Sequence, residues 1–128
     1  MSQDPVRGNS KLWPWPDSLD ALAAAPAHHQ LLLEDEQVRV LHTRIAPGDV
    51  VPLHCHRWGG VAYLQSWSHF IRRNEKGEIL FDSRHAGDPP KPPCAQRVPP
   101  LPPHTVENLG PSEISIVMIE FKDSSGLE

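Results

Sequence analysis

At 128 residues, with 12 Lys and Arg against 16 Asp and Glu and a net charge of -4, the chain has the size of one domain and is too short for two hydrophobic cores. Its basic residues stand singly or in pairs, which argues against a nucleic-acid partner, and no apolar run reaches the length of a membrane span. The polar start, Met1 to Ser10, lacks the apolar core of a signal peptide, so a cytoplasmic location is expected, with Cys55 and Cys94 as free thiols.

In chain order, Met1 to Pro16, which carries Trp13-Pro14-Trp15-Pro16, reads as a stiff extended arm laid across the rest of the fold or a neighbouring subunit. Asp17 to Ala25 follows, with acidic capping residues ahead of good helix formers, and Pro26 closes it as one short helix. From Gln30 onward the pattern becomes short runs of Val, Ile and Leu. Strands are expected at Leu31 to Leu33, Val38 to Ile45, Val50 to His56, Val61 to Leu64, His69 to Arg73, Ile79 to Phe81 and Ile114 to Phe121. Turns fall at Pro47-Gly48-Asp49, Asn74 to Gly77 and Asn108 to Pro111.

Proline is the compositional oddity: Pro89, Pro90, Pro92, Pro93, Pro99, Pro100, Pro102 and Pro103 crowd one stretch. Each lacks a donor N–H and fixes φ, so the stretch is expected as an extended loop and not as helix or central strand. Many short strands with one short N-terminal helix give an all-β sandwich or barrel. The expected boundaries are an arm and helix over 1–30, a barrel over 31–123 and a tail over 124–128.

Alternation along a strand sends His54 and His56 to the same face, where both can reach one ion. The pair alone is weak, because 8 histidines in the chain produce such a spacing readily by chance. Context adds weight: Gly48 stands six residues before His54, and Pro99, His104 and Asn108 recur much later at a fixed spacing. Gly48, His54 and His56 together with Pro99, His104 and Asn108 resemble the two signature motifs of the cupin superfamily. That resemblance implies a cupin-type β-barrel, the double-stranded β-helix or jelly roll, with His54, His56 and His104 as ligands of one divalent metal.

The chain departs from the motifs at the glutamate ligand, where Gly60 or Val61 stands, and at glycines replaced by Trp67 and Leu101. Three histidines without glutamate are similar to the ligand set of thiol and diketone-cleaving dioxygenases. The resemblance therefore implies iron(II), with zinc, nickel or manganese as alternatives, and an oxygenase acting on a small bidentate substrate. A non-redox lyase, isomerase or hydrolase and a non-catalytic ligand-binding module stay open beside it.

Around the three histidines, His42, Tyr63, Gln65, Arg72, Asn108 and Glu120 are candidates for the second shell or substrate pocket. For His42 and Glu120 a surface strand position is the favoured reading, and Arg72 beside Arg73 reads more simply as a solvated hairpin end. His28, His29 and His85 have no motif context and are expected in solvent. The expected partners are a small-molecule substrate and a second copy of the chain, since open antiparallel barrels protect their edges by pairing.

Overall fold

The computed structural model describes residues 13–122. Most of the sequence-predicted arm falls on residues 1–12, and the tail on 123–128; both lie outside the described residues. Among the described residues nine strands follow a short helical segment: β1 (His29–Glu34), β2 (Val38–Ile45), β3 (Val50–His56), β4 (Gly60–Ser66), β5 (Phe70–Arg73), β6 (Ile79–Asp82), β7 (Cys94–Val98), β8 (Leu101–Asn108) and β9 (Ile114–Phe121). They form two antiparallel sheets, ordered β1-β2-β9-β4-β7 and β3-β8-β5-β6. A cavity of about 260 Å³ lies between the sheets. Among the described residues no helix is long and apolar enough to cross a membrane.

The expected single helix is instead two pieces, a 3₁₀ turn at Asp17–Leu19 and one α-helical turn, α1, at Ala21–Ala24. Asp20 separates them in an extended conformation, and its carboxylate accepts from the Leu22 N–H as the cap of α1. The same carboxylate takes the Arg39 guanidinium, which holds Asp20 out of helical geometry. Ala21 and Ala25 bury fully beneath this segment and tie it to the barrel core.

The proline-rich stretch also departs from expectation, because β8 lies inside the four-stranded sheet between β3 and β5. Pairing to β3 runs His54 to His104 and then His56 to Leu101, so β8 carries one extra residue between the two pairs. Pro102 and Pro103 sit in that bulge, and pairing to β5 covers only Thr105 to Asn108. A bulge needs no ladder N–H from its extra residue, which is how a central strand holds two prolines. Gly48 supports the preceding turn with φ +84, a conformation glycine adopts at no steric cost.

Candidate metal centre

Four histidines meet at one end of the cavity. His54 and His104 are a cross-strand pair on β3 and β8, with ring centroids 4.4 Å apart. His56 lies 5.1 Å from His54 and 6.0 Å from His104 on the same measure. The fourth is His29, at the start of β1, whose ring stands 4.8 Å from His54 and 5.4 Å from His56. His29, His54 and His56 place one ligand atom each within 4.8 Å of one another, so the group can hold a metal ion.

His29 corrects the sequence reading, which left it in solvent. It is 5% exposed, while the remainder of β1 is exposed. The chain leaves α1 at Ala25, and the Ala25 carbonyl accepts from His29 Nδ1 at 2.9 Å, which turns the ring inward.

Each of the other three rings is held the same way. His54 Nδ1 donates to the Pro52 carbonyl at 2.7 Å, His104 Nδ1 to the Pro102 carbonyl at 2.7 Å, and His56 Nδ1 to Glu120 Oε2 at 2.8 Å. All four partners are acceptors only, so each Nδ1 carries a proton and each Nε2 keeps its lone pair. Among the described residues no hydrogen bond uses those Nε2 atoms. His29, His54 and His56, fixed in the tautomer that leaves Nε2 free, are a donor set suited to a borderline divalent ion; His104 is held alike beside them but is not among the three that meet this spacing.

The architecture has solved counterparts. A cupin domain from Bordetella pertussis Tohama I aligns with a TM-score of 0.54 at 20% identity, covering 73% of this chain and 90% of that one. An RmlC-like cupin family protein with a double-stranded β-helix fold from Methanocaldococcus jannaschii gives 0.51 at 14% identity, over 73% of this chain and 77% of that one. A conserved protein with a double-stranded β-helix domain from Klebsiella pneumoniae gives 0.50 at 18% identity, over 77% and 78%. The fold is that of a cupin. No protein-family model and no curated protein matches the sequence.

Within this cupin barrel the missing motif glutamate has a structural explanation. Gly60 pairs with Glu120 across β4 and β9, and a Cβ at Gly60 would collide with the Ile119 carbonyl. A glutamate therefore cannot replace it without moving the strands. The carboxylate near the site comes from across the pair: Glu120 is fully buried, and not at an exposed strand end as the sequence suggested.

Glu120 acts from behind the ring. One oxygen accepts from His56 and the other from Arg39 Nε at 2.8 Å, so both are engaged away from the Nε2 side. Arg39 in turn forks onto Asp20 at 2.8 and 2.9 Å. Burial works against the charges of Arg39 and Asp20, yet their mutual hydrogen bonds and charge outweigh it. Arg39 titrates above its ordinary value and Asp20 below its own. The relay Asp20, Arg39, Glu120, His56 fixes the tautomer and orientation of one ring.

Burial is the main cause that holds three of the rings neutral, and neighbouring charges add to it: His29 titrates at about 4, His54 at about 2 and His104 at about 3. An unfolded chain protonates these rings near the ordinary 6.5, so below that pH it binds more protons than the folded one. Their contribution to stability is complete above about pH 6.5 and declines as pH falls toward the folded values. Urea unfolding of the metal-free protein is therefore expected to show a midpoint that drops steadily from about pH 6.5 to about pH 4. A flat midpoint over that window would contradict the burial of neutral imidazoles.

Strand alternation sorts the remaining candidates. Thr43 and Ile45 of β2 and Ala62 and Leu64 of β4 line the cavity, so His42, Tyr63 and Gln65 face outward, contrary to a pocket role. His42 and Gln65 both hydrogen bond to Ser115 on that outer face, and Tyr63 is exposed. Asn108 is buried, and its side chain bonds Ile45, Ser112 and Gly110, closing the loop after β8 instead of facing a ligand. His28 is half-buried, with Nε2 3.4 Å from Asp49, whereas His85 is exposed as expected.

Cys55, between the two metal-site histidines, points the other way and pairs with Asp20 in an isolated bridge. Burial pushes its thiol up to about 11, so it is protonated and not a nucleophile. Arg72 does line the cavity, which the hairpin-end reading did not anticipate. Arg39 was missed altogether. Its only sequence signal is a charge amid the Val-rich alternation of β2.

Proposed function

We propose that this protein is a mononuclear metalloenzyme in which Nε2 of His29, His54, His56 and His104 hold one divalent ion and a small molecule binds beside it. The observation that carries this reading is the set of four Nδ1 protons, each committed to an acceptor outside the cavity. A divalent ion in such a set supplies Lewis-acid chemistry, polarising a substrate oxygen and acidifying water. The chain's own contribution is to fix the four rings, to strengthen His56 through Glu120 and Arg39, and to exclude water with Ile45, Val51, Leu64 and Met118 around the cavity.

The rings would hold the ion through neutral nitrogen donors and would leave its charge uncompensated, so a lyase, isomerase or hydrolase reaction that uses a Lewis acid comes first. An iron(II) oxygenase acting on a small thiol or β-diketone is the second reading, favoured by a ring-donor set that contains no carboxylate.

Protein purified without a histidine tag is expected to carry about one divalent ion per chain by elemental analysis, with the ion lost in His54→Ala. An ion content unaltered by that substitution would defeat the proposal. Oxygen uptake by iron(II)-loaded protein with a thiol or diketone would promote the second reading over the first. The chain is further proposed to act as a homodimer through the edge of β1, where Leu31, Leu32 and Leu33 are 44%, 49% and 53% exposed. Sedimentation as a monomer at micromolar concentration would count against that.

A further inference from the structure

We propose that Arg72 is the anion-binding residue of the cavity, and that the small molecule taken there carries a carboxylate. This rests on the reading of the four-histidine cavity as a ligand site. It adds the substrate class.

The case begins with two adjacent arginines at the end of β5. Arg73 turns outward and meets Glu107 at 3.0 Å, an ordinary half-exposed ion pair. Arg72 turns inward, where its cross-strand neighbours are Phe81 on β6 and Val106 on β8, both lining the cavity. Among the described residues Arg72 has no ion pair and no hydrogen bond, and its Nε is buried without an acceptor. The guanidinium carbon sits 5.7 Å from the ring centroids of both Phe70 and Phe81. Aromatic faces favour a cation, but they leave the five N–H donors of the guanidinium unused.

Arg39, more deeply buried than Arg72, is surrounded by two carboxylates. Arg72 receives none. Burial alone acts on it and pulls its titration below the ordinary arginine value, with no opposing charge to restore it. Arg72 is half-buried, and its Nε is sealed from solvent without an acceptor, which costs stability that a ligand supplying an anion recovers. Asp88 is the acidic residue among those lining the cavity, and it is exposed and makes no ion pair with Arg72.

Position links the arginine to the histidines. His104 lies two residues before Val106 on β8, which makes it the diagonal neighbour of Arg72 across the strand pair. Such neighbours lie roughly 7–8 Å apart, so guanidinium and imidazole address one small molecule from two ends. The planar fork matches a carboxylate bidentately, and the surrounding Ile45, Val51, Leu64 and Met118 suit a compact apolar body. Arg72 is the one Lys or Arg among the described residues lining the cavity, and a single guanidinium fork matches one planar carboxylate.

Benzoate, butyrate, their neutral amides and inorganic phosphate are the probes, titrated calorimetrically into metal-free protein, Arg72→Leu and Arg72→Lys. At least one carboxylate is expected to bind the natural chain at least about 10-fold more tightly than Arg72→Leu, with Arg72→Lys between them. The amides are expected to gain nothing from Arg72, and phosphate is expected not to displace the carboxylate. Arg72→Leu should remain folded with a thermal midpoint no lower than that of the natural chain, because among the described residues Arg72 makes no ion pair or hydrogen bond that the substitution would break.

Equal carboxylate affinity in the natural chain and Arg72→Leu overturns the proposal. So does the absence of benzoate and butyrate binding at millimolar concentration, or displacement by phosphate. Cobalt(II) uptake, followed by visible absorbance, reports separately on the four imidazoles. Carboxylate binding through Arg72 without cobalt uptake removes the metal reading alone. Cobalt uptake with carboxylate binding indifferent to Arg72 removes this one alone.

Discussion

Glu120→Ala is expected to lower the free energy of unfolding by about 3 kcal/mol, toward the lower end of the cost of breaking a buried ion pair. Glu120 has no exposure to solvent, and its loss leaves Arg39 Nε and His56 Nδ1 without acceptors in the interior. The cost stays at the lower end because the terminal nitrogens of Arg39 keep their fork on Asp20. Urea unfolding at neutral pH reads this directly. The same substitution is expected to weaken metal binding roughly 10–100-fold, the usual effect of removing an outer partner of a histidine ligand.

The double variant Arg39→Met with Glu120→Met separates the two consequences. Removing both charges is expected to restore most of the stability, since no uncompensated charge stays in the interior and Asp20 is exposed enough to hydrate. Metal affinity should stay low, because His56 still lacks its acceptor. A double variant that regained both would show that Glu120 acts through stability alone and not by positioning the ring.

His29→Ala is expected to weaken binding of cobalt(II) or zinc by more than about 100-fold, as much as His104→Ala, because losing a ligand exceeds the 10–100-fold cost of losing an outer partner. The ring is buried against His54 and His56, and Ala25 holds its Nδ1, so Nε2 is the atom it offers to the centre. Competition with a chromophoric chelator measures the change. An affinity indifferent to His29→Ala would reduce the centre to the three motif rings, the ligand set that resembles the dioxygenases, and so strengthen the oxygenase reading. His29→Gln is a useful companion, since it fills the same space with a weaker donor.

Much of the architecture was legible in the residues. Seven of the nine strands fall where β-branched runs alternate between turn residues, because a half-buried strand imposes a period of two on its side chains. The two that were not, β7 and β8, lie in the proline-rich stretch. Local propensity argued against pairing there, and a bulge beside His104 made pairing possible. The motif spacing of Gly48, His54, His56, His104 and Asn108 pointed to the cupin fold and brought His54 to His104 across a strand pair.

Alternation within one strand is a local property, and it alone puts His54 and His56 on one face. It also determined that Arg72 and Arg73 point apart. Which face is inside was decided only by tertiary structure, because that depends on strands far away in the chain. Pairing of β5 with β6 and β8 turned Arg72 toward the cavity, and the position of β4 between β7 and β9 turned Tyr63 and Gln65 away. The Arg39 to Glu120 contact joins residues 81 apart, and no local pattern encodes it. His29, which lies ahead of the sequence-predicted barrel, is the sharpest case: its ring joins the centre because α1 packs at Ala25 and presents one carbonyl to it.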